Sequence, residues 1–132
     1  MIKEVKQDLV ERRKAPRFKV SLSGLARTQL GYSFEIEVNN ISSSGLQFTM
    51  WQAEVPILFD LQSSQNTLNP IQVKLTINLS PEKHVSVNCG VVYLNRNSAD
   101  RCSVGCRFEA FIDKGASQLE DFLSEIVRKN HN

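Results

Sequence analysis

The chain has 132 residues, enough for one domain with a real core and too few for two. Its apolar fraction of 41% and charged fraction of 23% are ordinary for a globular protein and exclude a fibrous, repeat-built or disordered chain. No apolar run approaches the roughly 18 residues of a membrane span and the N-terminus is charged rather than signal-like, so a cytoplasmic protein without a membrane span is expected.

Taken in chain order, residues 1–10 form an N-terminal extension in which Val5, Leu9 and Val10 lie among charges at a spacing that suits a short helix ending before Pro16. The net charge of +2 is uneven. Residues 1–19 carry seven basic and three acidic groups, whereas residues 20–132 carry nine and eleven, and five cations fall between Arg12 and Lys19 with no acid among them. The ordinary reading of such a cluster is a solvated basic arm. Two details point instead to an anion-binding loop. The cations are mostly arginine, whose planar fork suits phosphate and guanine, and Pro16 biases Ala15 away from helical geometry, so Arg13 and Arg17 lie on an extended or turned segment.

From Phe18 the pattern changes to short Val-, Ile-, Phe- and Leu-rich runs broken by Gly, Pro, Asn and Ser, the mark of successive antiparallel strands. The runs are Phe18–Gln29, Ser33–Ile41, Leu46–Trp51, Ile57–Leu61, Ile71–Leu79, His84–Asn95 and Ser103–Ala110. Phe34, Ile36 and Val38 share one face, as do Leu46, Phe48 and Met50, and Val104, Cys106 and Phe108, so these faces should build one core. Six or seven such strands suffice for a small antiparallel β-barrel that leaves no open edge. Gln62 to Pro70 reads as an exposed loop. After Asp113 the period becomes helical, with Leu119, Phe122, Leu123, Ile126 and Val127 forming a stripe, and the start falls at Asp113 or at Ser117, where Ser117 and Glu120 suit a capping box. The expected organisation is an extension over 1–10, a barrel with its arginine loop over 11–112, and a helix and tail over 113–132. The helix covers either the barrel or a second subunit, and both a monomer and a homodimer fit.

Within the second strand the periodicity breaks. Val38 is inward by parity, yet Ile41 takes the apolar role on the opposite parity, which calls for a bulge or strand end near Asn39. Asn40 and Ser42 are then expected to point outward together, beside Gly45, where the chain reverses. Asn, Ser and Gly are common turn residues, so this string acquires meaning only beside the arginine loop.

The two segments together, Arg13-Lys14-Ala15-Pro16-Arg17 as RxxxR and Asn40-Ile41-Ser42-Ser43-Ser44-Gly45 as (D/N)xSxxG, resemble the PilZ domain, a bacterial receptor module for cyclic di-GMP. Val104-Gly105-Cys106-Arg107-Phe108 looks like that family's final strand, and the resemblance runs from about Glu11 to Glu125. It implies a PilZ-like β-barrel with a C-terminal α-helix that binds cyclic di-GMP. By the same resemblance Arg13 and Arg17 are the principal ligand arginines, Arg12 an additional cation, and Asn40, Ser42 and Gly45 the turn contacts. Asn40 stands where Asp is commoner, and Lys14 adds a charge inside RxxxR. Tyr93 lies about where some members stack an aromatic on a guanine, although a half-buried strand tyrosine is its ordinary reading. Gly105 admits close approach of a ligand or accommodates barrel curvature.

Cys89, Cys102 and Cys106 form no CxxC pair, and His84 and His131 suggest no ligand set, so neither a metal site nor a cofactor is expected and the cysteines read as small buried side chains. No nucleophile–base pair or phosphate-binding glycine loop is apparent, which makes an enzyme an unattractive reading. A nucleic-acid-binding barrel would spread cations and aromatics over a broad face, whereas residues 20–132 are net acidic, so no nucleic-acid partner is expected. The expected function is a non-enzymatic cyclic di-GMP receptor that signals to a protein partner. The main alternative is a PilZ-like adaptor that binds proteins without the nucleotide.

Overall fold

A computed structural model describes residues 15–60 and 71–130. The extension over 1–10, Arg12, Arg13, the loop Gln62–Pro70 and His131 lie outside the described residues. Those described form six strands and two α-helices: β1 (Phe18–Arg27), β2 (Ser33–Ile41), β3 (Gly45–Trp51), a 3-10 turn (Gln52–Glu54), α1 (Val55–Asp60), β4 (Gln72–Ser80), β5 (Lys83–Arg96), β6 (Arg101–Phe111) and α2 (Gly115–Asn130).

The strands close into a barrel in the order β1-β2-β3-β6-β5-β4, with every neighbouring pair antiparallel. Closure follows from the alternation. Phe34, Ile36 and Val38 on β2, Leu46, Phe48 and Met50 on β3, and Val73, Leu75 and Ile77 on β4 all point inward and are buried in one cluster. Each fully buried side chain of this kind contributes about 1.5–3 kcal/mol relative to an exposed one.

The run expected as a strand at Ile57–Leu61 is instead helical over Val55–Asp60. Five residues do not separate a buried strand from a buried helix by period, and Pro56, which lacks an N–H, suits a first helical turn. The preceding 3-10 turn is tied to the opposite hairpin by the Gln52 amide, which donates to the Asp100 carbonyl at 2.7 Å. Leu58 then enters the core with no exposed surface. This end of the barrel also carries the β1–β2 hairpin, which reverses at Gly31 with φ of 95°, and the β5–β6 hairpin. Beside them the Arg101 guanidinium lies 3.8 Å from the ring centre of the exposed Trp51.

The other end holds the start of β1, the β2–β3 turn and α2. The helix begins at Gly115, between the two starts suggested by the sequence. Asp113 adopts φ of 55° and reverses the chain, and a Cβ on Gly115 would come within 2.8 Å of Val85, so the absence of a side chain lets the helix start sit against β5. The capping box at Ser117 does not form, because Ser117 lies inside the helix and its hydroxyl donates to the Lys114 carbonyl at 3.1 Å. Leu119 is buried, and Phe122 and Leu123 pack on the barrel core, so α2 covers the barrel.

All three cysteines are buried and unpaired. A hydrogen bond with Cys106 and then burial push the Cys89 thiol far above its ordinary value, which keeps it protonated and unreactive.

Candidate functional site

The site begins with a bulge. The β2–β3 register shifts between Val38 and Asn40, with Val38 opposite Phe48 and Asn40 opposite Gln47. The extra residue, Asn39, is what allows Val38 and Ile41 both to be buried although they are three positions apart. Asn40 therefore turns to the outer face.

Ser42 does not follow it outward. Only 4% exposed, it places its Oγ inside the turn, accepting from the amides of Ser44 at 3.1 Å and Gly45 at 3.2 Å while lying 3.2 Å from the Gly45 carbonyl. The strand ends at Ile41, and past a strand end parity no longer governs direction. A serine hydroxyl there bonds the backbone two and three residues on. The Ser42 amide adds a backbone bond to the Gly45 carbonyl at 2.9 Å, and the Ser44 carbonyl accepts from the Phe108 amide at 2.9 Å, which fastens the turn to β6. That contact is close. A Cβ on Gly45 would stand 2.3 Å from the Cys106 carbonyl oxygen, a backbone atom of the paired strand.

Arg17 precedes β1 by one residue, and β1 pairs with β2 so that Phe18 faces Ile41 and Lys19 faces Asn40. This register carries Arg17 over the turn, where its Nη1 donates to Asn40 Oδ1 at 3.4 Å across 23 positions of sequence. Beyond Asn40 the outer face continues as a row across the barrel, with Gln47 opposite both Asn40 and Gly105, and Tyr93 opposite Gly105. Asn40 Nδ2 donates to Gln47 Oε1 at 3.2 Å, and the Tyr93 hydroxyl donates to the same oxygen at 3.0 Å. The half-buried Tyr93 ring lies on Gly105, where an added Cβ would be 2.0 Å from the ring edge.

Of the residues singled out from the sequence, the structure thus joins Arg17, Asn40, Tyr93 and Gly105 in one outer row, with Ser42 and Gly45 forming the turn at its edge. Arg12 and Arg13 lie outside the described residues. Sequence reasoning missed Gln47, the link between Asn40 and Tyr93. Its only signal was an outward polar position in the alternating run Leu46-Gln47-Phe48. Exposed cations at Lys19 and Arg107 flank the row. Arg107 is 4.0 Å from Glu109, an exposed pairing of little energetic weight.

Beside the turn opens a groove of about 790 Å³, bounded by Pro16, Phe18 and Ser43 on the site side and by Leu119, Leu123 and Val127 of α2 on the other. Among the described residues no cluster of three or more His, Cys, Asp or Glu is disposed to hold a metal. No helix among them is long and apolar enough to cross a membrane.

Comparison with curated protein sequences found no match. Solved structures do match in fold. They include MrkH of K. pneumonia in complex with c-di-GMP (15% identity over 91% of this chain and 54% of that one, TM-score 0.72) and MotI/DgrA, the Bacillus subtilis inhibitor of motility (12% identity, 89% and 53%, TM-score 0.63). The PilZ domain of YcgR from Escherichia coli with c-di-GMP matches over 90% of this chain and 94% of its own length, at 8% identity and TM-score 0.64. The chain spans about half the length of the first of these structures and nearly all of the isolated YcgR domain. The family model described as "PilZ domain" matches residues 11–125, and with a six-stranded closed barrel followed by a C-terminal helix, the chain belongs to the PilZ domain family.

Proposed function

We propose that this protein is a non-enzymatic, cytoplasmic receptor for cyclic di-GMP. Arg12, Arg13 and Arg17 contact the ligand from one side and the Asn40–Gly45 turn from the other, with Tyr93 and Gly105 as outer contacts. The observation that carries this reading is the Arg17–Asn40 hydrogen bond, in which one residue from each motif meets the other on the outer face. Membership of the PilZ family and the c-di-GMP complexes of MrkH and YcgR support it.

The chemistry suits the ligand. Cyclic di-GMP presents two phosphates and two guanine edges whose O6 and N7 accept the forked N–H pair of arginine. Asn40 contributes a side chain that both donates and accepts, and Ser42 acts by holding the turn from within. The output is a ligand-dependent surface read by a protein partner. Pro16 and Ser43, which flank the contact residues, also bound the groove beside α2, so a ligand bound at those residues bears on that groove.

Calorimetric titration of cyclic di-GMP into the protein tests the reading. Saturable binding at micromolar concentration, with selectivity over GTP and cyclic di-AMP, is expected. No heat at those concentrations would favour the adaptor that binds proteins without the nucleotide, and a steep salt dependence with RNA or DNA but no such selectivity would favour a nucleic-acid partner.

A further inference from the structure

Arginine donates hydrogen bonds and cannot accept them, and this sets the polarity of the whole outer row. Because Arg17 Nη1 faces Asn40, Asn40 must turn Oδ1 toward it and present Nδ2 to Gln47. Gln47 must then present Oε1, which also takes the proton of the Tyr93 hydroxyl. Two donors thus converge on one oxygen, and Gln47 Nε2 is left with two N–H groups and no acceptor among the described residues. Gln47 faces Gly105 across the β3–β6 pair, and the ring of Tyr93, whose hydroxyl meets Gln47, covers that glycine.

We propose that Gln47 is a further ligand-contacting residue of this site, its Nε2 donating to a phosphate oxygen or to a guanine O6 or N7. The inference rests on the cyclic di-GMP reading above. The three partners hold the amide in the required sense before ligand arrives: Arg17 sets Asn40, and Asn40 and Tyr93 together fix the carbonyl of Gln47. A glutamine able to flip freely would at times present a repelling oxygen to an anionic ligand, whereas here Asn40 and Tyr93 engage that oxygen and leave the donor over. Preorganisation of this kind lowers the ordering cost of binding.

Two substitutions separate a ligand contact from a merely structural role. Gln47→Glu keeps an oxygen to accept from Asn40 and Tyr93, so the row persists, but exchanges the amide donor for an acceptor. Gln47→Ala removes the donor without adding charge. Calorimetry with cyclic di-GMP on the full chain is expected to give about fivefold weaker binding for Gln47→Ala and at least about tenfold weaker binding for Gln47→Glu, as loss of one hydrogen bond to a charged or polar partner implies. Melting temperatures of Gln47→Glu and the wild type are expected to coincide. Affinity of Gln47→Ala within about twofold of wild type would overturn the assignment. So would full recovery of Gln47→Glu binding at raised ionic strength, because a screened through-space charge would then account for its loss. A wild-type protein that does not bind cyclic di-GMP removes the receptor reading and this inference with it, whereas wild-type binding that Gln47→Ala leaves intact removes the inference alone.

Discussion

Replacing Gly45 with alanine is expected to lower folding stability by about 1–3 kcal/mol, the usual range for a group forced into occupied space, with a matching fall in the urea midpoint. The added methyl would stand 2.3 Å from the Cys106 carbonyl oxygen and 3.3 Å from Arg107 Cα, all of it backbone of the paired strand. A backbone oxygen in a ladder cannot swing aside as a flexible side chain can, so relief requires β3 and β6 to separate at the turn. The same movement would stretch the Phe108–Ser44 bond and the Ser42 contacts that shape the turn. Cyclic di-GMP binding should weaken as well, because Asn40 is presented from that turn. An unchanged midpoint would mean that the close β3–β6 approach does not hold in solution.

Arg17→Ala is expected to weaken cyclic di-GMP binding by about tenfold to a hundredfold, the 1–3 kcal/mol of one well-formed bidentate arginine contact. Folding stability should move by less than about 0.5 kcal/mol. Arg17 is exposed and its bond to Asn40 is a long one at 3.4 Å, so little of the fold depends on it. Calorimetry and a thermal melt on the same variant separate the two effects. Equal affinity with and without the guanidinium would remove Arg17 from the site, and loss of both affinity and stability would show that it acts through the fold.

These two glycine and arginine positions also mark what was readable in the sequence. A period of two reports which face of a strand is buried, so Phe34, Ile36, Val38, Leu46, Phe48 and Met50 were assigned to the core correctly. The parity switch at Asn39 was equally readable as a bulge, since two apolar residues three apart cannot both face inward on a regular strand. Three features were not. Val55–Asp60 is too short for its period to distinguish helix from strand, and Leu58 had to meet the open end of a closed barrel before a helical turn became the better solution. The inward direction of Ser42 depends on bonds to its own backbone, which alternation does not encode. The contact of Tyr93 with Gln47 spans 46 positions and exists only because β6 lies between β3 and β5, so strand order had to be known first.

The most direct test of the central claim, that cyclic di-GMP is held on the outer row at the β2–β3 turn, is amide NMR of the labelled protein during titration. Shifts are expected to cluster at Arg17, Asn40 to Gly45, Gln47, Tyr93 and Gly105. Leu30, Tyr32 and Trp51, exposed at the opposite end of the barrel, are expected to stay unchanged. Shifts centred on that opposite end, or no shifts at saturating ligand, would contradict the account.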